Sequence, residues 1–435
     1  MRYRLSLINI IFMIIISRCS LEKQQEIVAK YSGGELTKKE LIDRIGIKKI
    51  NKASKSKNYL IKVQESAYKQ ILFDHYNDLL DDKEVKNELK RIENDKKIKL
   101  VLDFLVDNYV VNDSIKRFIY SSELTQYTIQ EITITHRLSY ARQKNRSPKE
   151  AYDIGKVIRK RIDSNQISFD QAVSVYAEHP VVKLTNGIVG PLTYGKLPSK
   201  ELSDAIWQSE PGDIIGPLET KLGYNVFQTV KKEVIDTTAA LKSKMKNLAS
   251  DIKKGRYEII DDYIDEKANT WFRTFGGEIY IDHIDTLWQI ADSLELFTIS
   301  EDNPNPILNL NGIPILNLDK TNYFQPLARI QNQNLSINWF ISEAKKHGTY
   351  DEKTFQNGYF LHQTIKEILY RNSAIMWFDK NSTKFDHQKT NELINIKQEN
   401  YLFDTYINQE MEKDSSLIKS IVLNRLAIKY NLEIH

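Results

Sequence analysis

Glycine and proline are scarce in this chain, and their scarcity limits the folds that it can adopt. The 435 residues contain 16 glycines and 10 prolines, too few for an all-β sandwich or barrel, in which a turn recurs about every 8–12 residues. Long helices are therefore favoured. Hydrophobic residues make up 41% and charged residues 28% of the chain, which is ordinary globular usage. A chain of this length is expected to form roughly two to four folded domains.

The first and last parts of the chain have the spacing of amphipathic helices. Thr37 and Glu40 form a capping box, in which the hydroxyl and the carboxylate bond free amides at a helix start. The apolar residues that then recur near a 3.6-residue period are Leu60, Val63, Ala67, Ile71 and Leu72. Similar stripes return after residue 234, at Ile260, Ile264 and Trp271 and again from Leu417 to Ile428. Such stripes normally form core contacts between helices.

The pattern changes between about Glu131 and Glu233. Glu131 to Leu138 alternates, which predicts a strand with one apolar face formed by Ile132, Ile134, His136 and Leu138. Two further capping boxes, starting at Ser147 and Ser168, predict two helices. The segment then continues through a tight turn bracketed by Gly187 and Gly190, a short helix, and a closing strand at Gly223–Phe227.

Several short strings in this middle segment resemble those of one known family. They are Ile134–Leu138, Phe169–Ala172, Tyr176–Pro180, Asn186–Gly190, Gly195–Leu197 and Pro211–Thr220, the last leading into Gly223 and Tyr224. Their order and spacing resemble the parvulin (PpiC or rotamase) family of peptidyl-prolyl cis-trans isomerases. The flanks, with Val28–Lys30 before Glu35–Leu41, are similar to exported foldase lipoproteins of the SurA and PrsA type.

The resemblance implies an α+β fold in which a parvulin domain is inserted between mainly helical, chaperone-like segments. A parvulin domain is a small antiparallel sheet with surrounding helices. The implied segments are a signal peptide at 1–18, an N-terminal helical segment at 19–130, the isomerase domain at 131–233 and a C-terminal mainly helical segment at 234–435.

The resemblance also implies a set of site residues. The expected catalytic positions are His136, Glu178, His179 and Asn225, and the expected lining of the proline-ring slot is Leu197, Leu202 and Thr220. The polar positions depart from the family, because His179 stands where Asp or Cys is usual and Asn225 replaces the histidine of the closing strand. His136 can instead be a histidine buried for structural reasons, and His179, which precedes a proline, can sit in an exposed turn.

Prolyl isomerisation requires no cofactor. Rotation about an X-Pro bond faces a barrier of ~18–20 kcal/mol because resonance stiffens the amide. A catalyst needs an apolar slot for the ring and hydrogen bonds that favour the twisted amide. The remaining histidines are scattered without metal-ligand spacing, and the chain has no glycine-rich phosphate loop or serine-nucleophile elbow. We therefore expect no metal and no cofactor.

The N-terminus has the pattern of a secretory signal. Arg2 and Arg4 precede twelve mostly apolar residues, Leu5–Ile16, a run too short to span a membrane. Cys19, the only cysteine, follows and resembles the lipidated cysteine of bacterial lipoproteins, which would attach the chain to a membrane. Arg18 departs from that motif, so an ordinary cleaved signal with a leftover thiol stays open. Ser20 in place of aspartate favours periplasmic attachment to the outer membrane over the inner one.

Nucleic acid is not an expected partner. The formal charge is +4, and removal of the three arginines before Cys19 leaves about +1. The lysines between Lys48 and Lys57 have no interleaved aromatic residue for base stacking, and a solvated loop explains them.

Two functions of different classes remain open from the sequence. The first is a peptidyl-prolyl isomerase and chaperone that helps exported or outer-membrane proteins to fold, with unfolded or proline-containing polypeptides as partners. The second is a catalytically weak or inactive parvulin-fold holdase, or a subunit of an outer-membrane assembly or secretion complex. The changed residues His179 and Asn225 favour the second function, whereas His136 and Thr220 support the first.

Overall fold

A computed structural model describes residues 26–435 apart from 54–57, 76–80, 111–121, 123, 141–143, 195–196, 198–199, 236–258, 295–311 and 351. The predicted signal segment and Cys19 lie outside the described residues. Among the helices in the described ranges, none is long and apolar enough to cross a bilayer.

Helices and short strands alternate along the described chain. The strands are β1 Ile27–Tyr31, β2 Gly34–Thr37, β3 Thr125–Ile134, β4 Ile188–Leu192, β5 Ile214–Thr220, β6 Gly223–Val234, β7 Glu278–Ile279, β8 Ile313–Pro314, β9 Ala328–Ile330, β10 Gln333–Leu335, β11 Thr354–Phe355 and β12 Glu433–Ile434. The helices are α1 Lys38–Ile45, α2 Ile47–Ala53, α3 Asn58–His75, α4 Lys83–Leu105, α5 Pro148–Asp163, α6 Phe169–Tyr176, α7 Pro180–Leu184, α8 Lys200–Trp207, α9 Ile259–Thr274, α10 Ile281–Ser293, α11 Ile337–Lys346, α12 Gly358–Lys380, α13 His387–Lys413 and α14 Lys419–Lys429.

The chain forms two compact units, and the first is built from both ends of the chain. It contains the residues up to Lys96 together with Asn381–His435. Strand β12 pairs antiparallel with β1, so the C-terminus completes a three-stranded sheet begun near the N-terminus. Helices α3 and α13 pack together beside this sheet. Arg44 forms a two-pronged, buried ion pair with Glu399, which joins the two ends of the chain.

The second unit, Lys97–Lys380, contains the middle sheet. Its four antiparallel strands have the order β4-β3-β6-β5, with the longest ladder between β3 and β6. The predicted capping boxes are present, because the hydroxyls of Ser147 and Ser168 accept from the amides of Glu150 and Gln171 at the starts of α5 and α6. An α+β domain flanked by helical segments, as expected from the sequence, is therefore confirmed.

Helices α10 and α12 pack against the chain where it leaves β3. The guanidinium of Arg137 donates to both carboxylate oxygens of Asp285 on α10, at 2.8 and 2.5 Å. Asp285 is almost fully buried. A Cβ added to Gly358, at the start of α12, would lie only 2.6 Å from the Leu138 side chain. The helices α10 and α12 thus belong to the same compact unit as the middle sheet.

Two local expectations differ from the structure. The strand predicted from Glu131 to Leu138 runs from Thr125 to Ile134, because the chain turns at His136, whose amide donates to the Ser139 hydroxyl. The lysine-rich stretch expected to be a loop begins as helix α2, in which buried Ile50 provides an apolar anchor and Lys48 and Lys49 stay exposed.

Candidate functional site

The two faces of the middle sheet have different chemistry. Ile132, Ile134 and Val226 point to one face, which we call the apolar face, and pack against helices α5 and α6. The residues between them point to the opposite face, because side chains alternate along a strand. On that face Thr133 lies opposite Asn225, and Glu131 lies opposite Phe227. We call it the mixed face, since Phe227 packs there with Leu202 of α8.

A hydrogen-bonded network occupies the mixed face. The side-chain oxygen of Asn225 accepts from the Thr220 hydroxyl at 2.9 Å. Its amide nitrogen donates to the Thr133 hydroxyl at 2.8 Å and to the Glu131 carboxylate at 3.3 Å. Asn225 is 1% exposed and Thr133 is 0% exposed. The network therefore fixes the Asn225 amide in one orientation and satisfies each of its polar atoms.

Glu131 and Thr133 were not among the residues singled out from the sequence. Alternation placed Thr133 on the face opposite Ile132, but only the register between β3 and β6 shows that this face also carries Asn225. Burial raises the pKa of Glu131 to about 7, and the hydrogen bond from Asn225 acts in the opposite direction. A carboxyl that titrates near neutrality beside a fixed amide is a common feature of functional sites.

The three predicted slot residues lie on the mixed face. Leu202 is buried in a cluster with Tyr127, Ile129, Ile206 and Phe227, and half-buried Leu197 packs against that cluster. Thr220 ends β5 and bonds Asn225 directly. The structure therefore places an apolar wall and a polar network side by side.

His136 lies outside this network. It is 1% exposed, and its Nδ1 accepts a hydrogen bond from the Leu138 amide at 3.2 Å. The ring proton is therefore on Nε2, which has no hydrogen-bond partner. Burial, followed by the charges of Arg137 and Arg146, lowers the pKa of His136 to about 4. The imidazole is neutral at physiological pH, and its ring contacts Tyr224 at 5.5 Å between centroids.

Glu178 and His179 lie near the end of β3. The Glu178 carboxylate accepts from the amide and the hydroxyl of Thr135, both at 2.9 Å, and pairs with Arg146 at 2.7 Å. It thereby ties the strand end to the segment after α6. His179 precedes α7 without capping it, and its Nδ1 is buried without a hydrogen-bond partner. The structure thus joins Thr220 to Asn225, but it does not bring His136, Glu178 or His179 into their network.

No metal centre is evident in the part of the chain that the structure describes. No group of three or more His, Cys, Asp or Glu side chains there has an arrangement that could hold a metal ion. The mixed face offers hydrogen-bonding groups beside an apolar wall.

Comparison with known proteins bears on the middle domain. The family model of the PPIC-type PPIase domain, or rotamase, matches residues 134–231. No curated protein matches the chain.

Several solved structures are similar to parts of the chain. A crystal structure of a PpiC-type peptidyl-prolyl cis-trans isomerase domain is 21% identical over 27% of this chain and 99% of that chain, with a TM-score of 0.23. PrsA from Bacillus cereus is 16% identical over 55% of this chain and 87% of that chain, with a TM-score of 0.25. A chain from the structures of PEB4 and Cj1289, SurA-like chaperones of Campylobacter jejuni, is 17% identical over 56% and 98%, with a TM-score of 0.22. Because their TM-scores are this low, the three structures add no evidence on function to the family-model match.

Proposed function

We propose that this chain, in which residues 134–231 are a PPIC-type peptidyl-prolyl isomerase domain, is an exported foldase that isomerises X-Pro bonds in unfolded polypeptides. The observation that carries the proposal is the mixed face, where the network of Asn225 and Thr220 adjoins the apolar wall of Leu197 and Leu202. The family match supports the reaction class, and this pairing supports the mixed face as the proposed site.

The proposed mechanism needs no covalent step. The proline ring rests against Leu197, which is partly exposed and packs on the buried Leu202, and this contact removes water from the bond that must rotate. Rotation breaks the amide resonance, so the carbonyl becomes less polar and the nitrogen becomes a better hydrogen-bond acceptor. Fixed donors beside the ring stabilise that twisted state more than the planar one, which lowers the barrier.

The test is a protease-free isomerisation assay on the mature chain. Cis–trans exchange of a proline tetrapeptide is followed by NMR with catalytic amounts of protein. We expect exchange well above the uncatalysed rate, which takes tens to hundreds of seconds. Leu202→Ala, which opens the wall, should lower kcat/KM, whereas Val157→Ala on the exposed side of α5 should not. Exchange at the uncatalysed rate at every pH would remove the enzymatic part of the proposal.

A specific observation favours a second candidate, a binding module with little turnover. Both N–H groups of Asn225 are already used within the protein, and the ring N–H of His136, which has no hydrogen-bond partner, is buried. Asn225→His, which restores the usual family residue, separates the candidates. If the network limits catalysis, a gain of about 100-fold is expected from one added donor. If turnover stays absent while a proline peptide still binds, the binding module is the better account.

The proposal includes holding of unfolded chains by the helical parts. Three tryptophans of the helical parts, Trp271, Trp339 and Trp377, are half-buried, and Trp271 stacks on Trp377 at 4.7 Å between ring centroids. Trp339 packs against the core of the second unit. We expect the mature chain to suppress aggregation of an unfolded outer-membrane protein in a light-scattering assay, and Asn225→Leu to retain that effect. Loss of suppression in this variant, with its fold intact by circular dichroism, would contradict separate holding surfaces.

Export and lipid attachment are the last part of the proposal. Cys19 follows the apolar signal and is the only cysteine, so diacylglyceryl modification would place the chain on a membrane facing the periplasm, by preference the outer membrane. Labelling with a palmitate analogue in a bacterial host tests this. Equal labelling of the natural chain and Cys19→Ser would rule it out.

A further inference from the structure

The mixed face has few hydrogen-bond donors to offer a bound peptide. One N–H of Asn225 goes to Thr133 at 2.8 Å and the other to Glu131 at 3.3 Å. The hydroxyl proton of Thr220 is given to the Asn225 side-chain oxygen. Thr133 is fully buried, so a substrate cannot reach its hydroxyl. Neither Asn225 nor Thr220 can therefore serve a peptide carbonyl without breaking an existing bond.

Glu131 and Thr220 are the two members of this network that a peptide can reach, but the Thr220 hydroxyl already donates to Asn225. The Glu131 side chain is partly exposed, unlike those of Asn225 and Thr133. It lies opposite Phe227, which packs with Leu202 in the apolar wall. The carboxyl is thus next to the place proposed for the proline ring, where the carbonyl of the preceding residue must also lie.

The backbone of Glu131 is held in place by the glycine turn before β4. The Glu131 amide donates to the Gly187 carbonyl at 2.8 Å. A Cβ at Gly187 would come within 2.5 Å of the Glu131 carbonyl oxygen, and Gly187 has a φ of +73°. Only glycine fits this approach, so the turn fixes the position from which the carboxyl projects.

The surroundings of the carboxyl favour its neutral form. Burial raises the pKa of Glu131 to about 7, and the hydrogen bond from Asn225 opposes this shift. Asn225 and Thr133 are the polar groups that face it from β6 and β3, and no charged side chain of the described residues contributes to the pKa. A protonated carboxyl carries an O–H and can donate, whereas an ionised one only accepts.

We propose that Glu131, as a neutral acid, is a catalytic residue that donates a hydrogen bond to the substrate amide next to the proline ring. This rests on the proposed isomerase function and names the donor that the changed family positions leave missing. The carboxyl keeps its proton throughout the rotation, so no proton transfer is required. Ionisation removes the O–H, so the carboxylate can only accept hydrogen bonds and repels a peptide carbonyl.

The test is the pH profile of the mature chain and of three variants. A group with a pKa of about 7 is roughly 90% protonated at pH 6 and roughly 10% at pH 8, so kcat/KM should fall about tenfold between them. Glu131→Gln has nearly the same shape and donates an N–H at every pH, so its profile should be flat. Glu131→Met, which has no donor, should lose about 10- to 100-fold at pH 6. Glu233→Gln, on the exposed end of β6, is the matched control and should keep the natural profile.

Binding is measured beside turnover so that two failures can be told apart. The Kd of a fluorescent proline peptide should also weaken between pH 6 and pH 8, and Glu131→Gln should remove that change. The role of Glu131 is overturned if kcat/KM of the natural chain does not change with pH. It is also overturned if the pH dependence of kcat/KM persists in Glu131→Gln. If no turnover occurs, the isomerase proposal fails, and the Kd alone decides: a pH slope that depends on Glu131 supports its contact with the peptide, and a flat Kd refutes it. Circular dichroism checks that each variant is folded.

Discussion

The side chains buried on the two faces of the middle sheet make different kinds of contact. On the apolar face Ile132, Ile134 and Val226 are fully buried among side chains of α5 and α6 that carry no polar atoms at the contact. On the mixed face Thr133 and Asn225 are equally buried, yet they contact one another through hydrogen bonds. Both faces belong to the same two strands, so backbone conformation does not explain the difference.

The comparison separates what stabilises the sheet from what it presents to a ligand. Buried aliphatic groups contribute stability without orienting anything. A buried hydrogen-bonded amide contributes only about 0.5–1.5 kcal/mol of net stability, but it is held in one geometry. The mixed face therefore gives up stability for a fixed arrangement of polar atoms, which is typical of functional sites. We therefore expect substitutions on the apolar face to lower stability most, and substitutions on the mixed face to lower activity most.

The largest effect is expected on the apolar face. Ile132→Ala removes a side chain that is 0% exposed, and the loss of burial together with the cavity should cost about 2–5 kcal/mol of unfolding free energy. Urea denaturation followed by circular dichroism measures it. Val157→Ala, at an exposed position of α5, should change stability by less than about 0.5 kcal/mol. A loss under about 1 kcal/mol for Ile132→Ala would mean that this face is not the stabilising one.

A smaller loss is expected on the mixed face. Asn225→Leu leaves the hydroxyls of Thr220 and Thr133 and the Glu131 carboxylate without their shared partner, which should cost about 1–3 kcal/mol. Prolyl turnover should fall at the same time, unlike in Ile132→Ala at temperatures where both remain folded. Gln208→Leu, at an exposed turn, is the control. A variant more stable than the natural chain would show that the network costs more than it contributes.

The apolar face was predictable from the sequence, because each of its determinants is local. Alternation gave the inward positions of Ile132 and Ile134, and the capping boxes at Ser147 and Ser168 gave the starts of the covering helices. These signals depend on residues three or four apart in the chain. The same holds for the family resemblance, whose strings lie within about 100 residues.

The mixed face depends on contacts that local patterns do not contain. Thr133 meets Asn225 only through the register of strands 92 residues apart in sequence. The orientation of His136 depends on a turn after β3 that alternation does not predict. The pKa of Glu131 depends on burial by several elements at once. In the same way, no local signal shows that β12 at the C-terminus completes the sheet of β1 and β2.

A pH effect on stability distinguishes the faces without removing a contact. Glu131 has a pKa of about 7 in the folded chain, against an ordinary value of 4.5 for a glutamate in the unfolded chain. Between these values the folded chain keeps a proton that the unfolded chain has lost, so stability falls as pH rises through this window and levels off above it. Glu131→Gln removes the penalty and should be about 1–2 kcal/mol more stable than the natural chain at pH 8, with little difference at pH 4.5.

The natural chain must be compared with Glu131→Gln because titration of His136 changes stability with pH in the opposite direction. Its pKa is lowered to about 4, so its contribution to stability is lost as pH falls from about 6.5 towards 4. The difference between natural chain and variant cancels this contribution. Denaturation at pH 4.5, 6 and 8 measures it, with Glu233→Gln as control. An equal difference at all three values would contradict a buried, titrating Glu131.

The smallest effect on stability is expected at the N-terminus of α6, the helix that covers part of the apolar face. Ser168→Ala removes the hydroxyl that accepts from the Gln171 amide at the start of α6, and a lost cap costs about 1 kcal/mol. Ser168→Asp keeps an acceptor and adds a charge that the helix N-terminus favours, so it should restore stability. Because α6 covers the apolar face through Phe169, Ala172 and Val173, neither variant should change kcat/KM for a proline peptide by more than about twofold. A drop in turnover at unchanged peptide binding would mean that the two faces are coupled. In that case, loosening the helix on the apolar face would alter the strand register that holds Thr133 against Asn225.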